Sequence, residues 1–219
     1  MKNTSTLPLG LKIFLAAFSL TLIAYNTLFQ GVHSLLYFCN VALFLGTIGI
    51  CLERALPVAM AAVGVVMIQL LWSVDLALTA AEVSPVRMTA FMLNDNLPVF
   101  KKVLALFHAW LPFVLIFAMS RLGYDPRALV SWTVVTWALL LVSYLFLPRP
   151  PAPPDDPTLS VNINFVFGLN MAGPQQRMPE LAWLGAMMLA LPLLVFLPSH
   201  FVFKRLFGGE PAAVTLRTS

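Results

Sequence analysis

The sequence predicts an all-α protein, a polytopic transmembrane helical bundle of six spans. Three observations carry that prediction. Six stretches each offer the ~20 apolar residues that a helix rising 1.5 Å per residue needs to cross hydrocarbon. Only 10% of the 219 residues are charged and 60% are hydrophobic, whereas a soluble domain carries about 25% charged residues to cover its surface. Lysines and arginines are also unequally divided between alternate connections.

The first span is expected at about 11–29. Lys2 and Lys12 precede it as in a signal peptide, but the run is long and Tyr25-Asn26-Thr27-Leu28 offers no small-x-small cleavage site, so it reads as retained. The second, about 34–52, holds the only two cysteines, Cys39 and Cys51. Twelve residues of helix hold them ~18 Å apart, too far to bridge, so they report nothing about redox compartment. The third, about 56–79, opens on Pro57, and its small residues Ala55/Ala59 and Ser73/Ala77/Ala81 predict close helix packing. The fourth, about 99–120, follows Pro98; the fifth, about 128–147, follows Pro126; the sixth, about 181–203, follows Pro179. Proline suits a first helical turn because its missing N–H has no intrahelical partner there. Inside spans, Pro112 and Pro192 cannot donate to the carbonyls of His108 and Met188, which predicts kinks and two carbonyls in need of other donors.

Two outer connections stand out. Residues 80–98 place Val86, Met88, Phe91, Met92 and Leu93 among polar residues and are expected to lie in the interface; a seventh span results if they insert. Residues 148–179 hold eight of the seventeen prolines. Pro148 to Pro157 should be extended, whereas Val161-Asn162-Ile163-Asn164-Phe165-Val166-Phe167-Gly168 alternates apolar residues with asparagine and predicts a folded-back plug. A loop this long in a compact protein points to function. One transmembrane domain fills 1–219, without room for a separate soluble domain or a convincing internal repeat.

Alternating six spans puts Lys2, Lys12, Arg54, Arg121, Arg127, Lys204, Arg205 and Arg217 on one side and Arg87, Lys101, Lys102, Arg149 and Arg177 on the other. The excess places both termini in the cytoplasm of a cell inner (plasma) membrane protein. The net charge of +4 is then topology, not a nucleic-acid footprint, and membrane lipids are the expected partners. No phosphate-cradling glycine loop, dinucleotide fingerprint, H-E-x-x-H or C-x-x-C occurs, and no cofactor is expected. Haem ligation is disfavoured by the unequal depths of the histidines, and a retinal protein needs a lysine deep in a span.

The polar residues of the spans crowd toward the outer face: His33, Tyr37, Cys39, Asn40, Gln69, Asp75, His108 and Tyr144. Hydrophilic groups in hydrocarbon cost free energy, so a shared depth suggests a site. His108, nine residues past Val99, lies ~13 Å below the outer surface; it suits a general base, a proton relay or a metal ligand, or simply ties two helices. Cys39 is a nucleophile if paired with an imidazole and otherwise a small hydrophobe. On a helical wheel His33, Tyr37 and Asn40 share a stripe and Cys39 points about 100° away. Asp75 orients His108 or caps its span. Gln69 accompanies Asp75 as a substrate-side group. Lys101 holds a lipid phosphate or snorkels, and Tyr144 contacts substrate or belongs to the aromatic belt. Asn162 and Asn164 donate to an oxyanion or order their loop. His200, beside Lys204 and Arg205, marks the cytoplasmic boundary.

Phe38-Cys39-Asn40 entering a helix, Phe107-His108 followed by Pro112, then Gly123-Tyr124, and Asn162-Ile163-Asn164 before a last helix form an order of features over residues 34–203. That order resembles the YwaF-like bacterial integral membrane proteins and their animal relative, a polytopic ether-phospholipid acyltransferase. The resemblance implies a catalytic pair of helix-borne cysteine and intramembrane histidine, here Cys39 and His108, with 162–164 matching an Asn-rich stretch. The proline-rich 148–157 and charged 80–98 segments have no counterpart. The expected activity is lipid acyl transfer or acyl hydrolysis at the outer leaflet, with Cys39 as nucleophile, His108 as base, Asp75 or Gln69 orienting, and Asn162/Asn164 as oxyanion donors. The alternative is a non-catalytic membrane component, either a small-solute carrier or an assembly partner.

Overall fold

A computed structural model of the chain describes residues 7–84, 89–169 and 173–208. The described residues form eight α-helices and no strand: α1 (Leu9–Phe29), α2 (Phe38–Leu52), α3 (Ala55–Ala80), α4 (Val99–Ala105), α5 (Phe107–Leu122), α6 (Ala128–Phe146), α7 (Glu180–Ala190) and α8 (Leu197–Phe207). A π-helical turn, Leu191–Phe196, joins α7 to α8. Five helical stretches are long and apolar enough to cross a membrane: α1, α3, α4 with α5, α6, and α7 through α8. Their outer surfaces expose Leu20, Leu71, Val74, Phe113, Leu145, Phe146, Leu193 and Leu194, the apolar coat that a bilayer requires. This is a membrane protein.

The second expected span is shorter than the others. Residues Val32–Leu36 form a 3-10 turn and α2 begins only at Phe38. Its 15 residues rise ~22 Å, less than the ~30 Å of hydrocarbon. Between 80 and 98 the described residues hold only a 3-10 turn, Ala90–Leu93, and no span-length helix among them.

α3 is the central post, with 61% of its apolar window buried against 17–39% for the other four stretches. α2 and α3 form a tight antiparallel hairpin around Glu53-Arg54. Glu53 takes the left-handed conformation (φ 51°) that lets the Arg54 N–H close on the Gly49 carbonyl at 2.8 Å. Lys12 pairs with its carboxylate at 2.6 Å and ties α1 to the same end. Close approach comes from glycines on α2 and α3. A Cβ on Gly49 would fall 2.7 Å from Val58 Cγ2, and one on Gly46 would fall 2.9 Å from Leu115 Cδ2 and 3.7 Å from Ala61 Cβ. Gly64 similarly leaves room only for the Trp132 indole of α6. Of the expected small-residue stripes, Ala59 is buried, but Ala77 and Ala81 face outward because the outer half of α3 buries only its Gln69–Trp72–Asp75–Thr79 stripe.

Pro192 acts as its chemistry dictates. The helix widens into the π-turn, and the Met188 carbonyl it cannot serve accepts from Trp137 Nε1 at 2.8 Å. Pro112 gives a different result. α5 runs through it, and the interruption lies at Leu106, two residues before His108. There the Ala109 N–H closes on Leu106 (2.9 Å), and the Ala105 carbonyl takes its proton from His108 Nδ1 (2.8 Å).

Candidate functional site

The polar groups in the half of the bundle away from the Glu53-Arg54 turn sort into three stations. The first closes the α3 end. Asp75 Oδ2 accepts from the Thr89 N–H and hydroxyl, both at 2.8 Å, and Oδ1 accepts from Ser84 Oγ; the Thr89 hydroxyl also lies 3.1 Å from Thr79 Oγ1. Asp75 thus fastens the connection after α3 and does not orient His108, whose Nδ1 is bonded to Ala105. A short polar side chain one turn from a helix end reaches the returning loop more readily than a neighbouring helix.

The second station is the plug expected at 161–168. Asn162 and Asn164 both adopt left-handed φ, 51° and 59°, which asparagine tolerates better than most residues. Asn162 Oδ1 accepts from the Phe167 N–H (2.9 Å) and its Nδ2 donates to the Gly168 carbonyl (2.8 Å). Asn164 Oδ1 accepts from the Phe38 N–H (2.9 Å), capping α2, while Nδ2 donates to the Leu36 carbonyl (2.9 Å) and Ser143 Oγ (3.2 Å). His33 Nε2 donates to the Ser160 carbonyl (2.6 Å), Tyr37 donates to Val161 O (3.4 Å), and Asn40 Nδ2 donates to the Ser34 carbonyl (2.9 Å). Tyr144 donates to Glu180 (3.3 Å), which pairs with Arg149 (2.9 Å), itself 4.6 Å over the Phe167 ring. Val166 and Phe167 complete a small core with Leu140 and Leu184. The asparagines are folding elements here: both Asn164 amide protons are engaged, which leaves it no N–H for an oxyanion, and Asn162 ties the loop's own backbone through both ends of its amide. Asn40 and Tyr144 are likewise committed to loop ties. Lys101 lies half-buried in the first turn of α4.

The third station is a layer across α2, α3 and α5. The Gly46–Ala61–Leu115 meeting point fixes the register of all three helices. Moving outward from it, Cys39 is seven residues along α2, Gln69 eight along α3 and His108 seven along α5. At 1.5 Å per residue these lie ~10.5, ~12 and ~10.5 Å from that point, hence at one depth. Gln69 continues the Val58–Ala62–Val65 stripe, whose Val58 abuts Gly49 of α2, so it faces the cysteine's helix. One turn farther, Trp72 stacks on the His108 ring at 5.0 Å between centroids and 25° between planes.

The chemistry of this layer follows from its hydrogen bonds. A carbonyl only accepts, so His108 Nδ1 carries the proton and Nε2 keeps an open lone pair with no partner among the described residues. Gln69 is 2% exposed, and neither its Oε1 nor its Nε2 has a hydrogen-bond partner. Cys39 Sγ has Asn40 Oδ1 at 3.9 Å and makes no hydrogen bond to His108. Among the described residues no three His, Cys, Asp or Glu side chains gather to hold a metal ion. The sequence did not single out Trp72 as the imidazole's platform, nor Thr89 and Ser143 as anchors of the two loop stations. At the cytoplasmic end expected for it, His200 Nδ1 meets the Tyr124 hydroxyl at 2.7 Å.

The fold and site define an α-helical membrane protein with a polar layer in the half of its bundle away from the Glu53-Arg54 turn. No family model, curated protein or solved structure matches the chain.

Proposed function

We propose that this chain is a six-span protein of the plasma membrane, with both termini cytoplasmic, that acts on lipid acyl groups through Cys39 and His108. The short α2 then serves as the sixth span, which a bilayer accommodates by local thinning. The observation that carries the reading is Gln69: an amide buried to 2% exposure with both polar atoms unpaired, level with a thiol on one neighbouring helix and an open imidazole nitrogen on the other. Leaving such a group unsatisfied costs about 1–3 kcal/mol, so its retention at that depth favours a polar occupant. The resemblance to the polytopic acyltransferases supplies the reaction class, and the bilayer supplies the substrate. His108 Nε2 is the base, and a relaxed thiol–imidazole separation suits a state without substrate.

A lipid-tailed thiol-reactive probe tests this in native membranes. Cys39 should label in preference to Cys51, and His108→Ala should slow that labelling at least about 10-fold, given the 100- to 10,000-fold typical of general-base catalysis. Labelling of Cys39 that is unchanged in His108→Ala removes the pair. The second reading, a non-catalytic assembly component, draws on the engagement of Asp75, Asn40, Asn162, Asn164 and Tyr144 in loop ties; it predicts full function in the Cys39→Ala/His108→Ala double variant.

A further inference from the structure

We infer that Gln69 is the donor to the oxyanion formed during acyl transfer at Cys39, a role that Asn164, with both amide protons donated, is not free to fill. This rests on the acyl-transfer reading and adds a residue to it. The step needs an N–H within the Cys39–His108 layer that is not already committed. Gln30, Asn40, Asn162 and Asn164 each donate an amide proton to an oxygen of the protein. Gln69 Nε2 donates to none and is sealed inside the bundle. An unpaired donor held in a low-dielectric site before the reaction begins is what a developing oxyanion requires, since no reorganisation is needed as charge appears.

The chemistry balances with groups already present. Cys39 Sγ attacks the carbonyl carbon of an acyl ester while its proton passes to His108 Nε2. The carbonyl π pair moves onto oxygen, which accepts from Gln69 Nε2–H. When the carbonyl re-forms, the bond to the alkoxy oxygen breaks, and that oxygen takes the proton from His108. The alcohol leaves and the acyl group remains on Cys39 as a thioester. Water or an acceptor alcohol then attacks the thioester carbon, giving its proton to His108, through a second oxyanion at the same position; its collapse breaks the C–S bond, Cys39 Sγ takes the proton back from His108, and the acid or new ester leaves.

Two probes of equal tail length separate this role from simple packing or from failure of the acyl-transfer reading. A long-chain p-nitrophenyl ester acylates the thiol through an oxyanion; an N-alkyl iodoacetamide alkylates it by displacing iodide, without one. In the full-length protein, Gln69→Met should slow acylation of Cys39 by about 100-fold or more, the loss seen when an oxyanion donor is removed, and leave alkylation within about twofold. Gln69→Leu, which likewise offers no donor, should behave like Gln69→Met, whereas His108→Gln should slow both reactions. Equal slowing of both reactions in Gln69→Met, or slowing of neither, overturns the role assigned to Gln69. Wild-type Cys39 that alkylates but never acylates overturns the acyl-transfer reading itself.

Discussion

Replacing Gln69 with methionine should make the protein more stable while removing whatever its amide does. Methionine matches the length and flexibility of glutamine and carries no strongly polar atom. Gln69 is 2% exposed, and both amide atoms lack partners. Removing a buried unsatisfied polar group recovers about 1–3 kcal/mol, and no hydrogen bond is lost in exchange. For a chain of this size each kcal/mol shifts Tm by ~2–4 °C, so the expected rise is roughly 2–12 °C. The assay is a thermal melt of purified protein in one detergent, wild type beside Gln69→Met, with retained function scored in parallel. A fall in Tm of similar size would refute the reasoning, because it would mean that the amide already has a partner whose loss is costly. Stability gained at the expense of activity is the usual sign of a residue kept for function.

Asn164→Ala should lower stability by about 2–6 kcal/mol, since the Phe38 N–H and Leu36 carbonyl both lose their partner at roughly 1–3 kcal/mol for each stranded group; limited proteolysis should cut 158–169 faster than in wild type. Trp137→Phe strands the Met188 carbonyl freed by Pro192, and amide exchange should rise in the π-helical turn while α2 and α3 keep their protection. Burial, reinforced by the charge of Asp125, raises the Tyr124 phenol to about 12 from 10.0. A raised folded-state value means that its contribution is fully present below pH 10 and is lost as pH climbs toward 12. Melts across that window should show a decline tracking tyrosinate absorbance, and Tyr124→Phe should flatten it.

Local chemistry was legible in the sequence; long-range partners were not. The apolar runs predicted the helices to within a few residues because span length and composition are local properties. The start of α2 was misplaced because Val32–Leu36 turns instead of joining the helix: His33 and Tyr37 bond to Ser160 and Val161 of the outer loop, more than a hundred residues away in sequence. Pro192 correctly announced a free carbonyl at Met188, yet nothing near it in sequence points to Trp137, fifty-one residues distant. The alternation around Asn162 and Asn164 revealed a folded plug, but only tertiary contacts show that Asn164 caps α2 and that both its amide protons are donated. Depth identified Cys39, Gln69 and His108 together, since position along each helix fixes it. The same rule over-reached for Asp75, whose partners Ser84 and Thr89 come from a connection with no helical register to count along.

The account depends on whether the thiol of α2 and the imidazole of α5 share one layer, and cross-linking measures that directly. In a Cys51→Ala background, His108→Cys and Leu106→Cys are each combined with native Cys39 and treated in membranes with a bis-methanethiosulfonate cross-linker spanning ~8 Å, about the distance between packed helix axes. Leu106 lies two residues away and is 40% exposed on the lipid side. Efficient linkage of Cys39 to the cysteine introduced by His108→Cys, with little through Leu106→Cys, is the predicted result. Equal linkage at both positions, or linkage through Leu106→Cys alone, contradicts it.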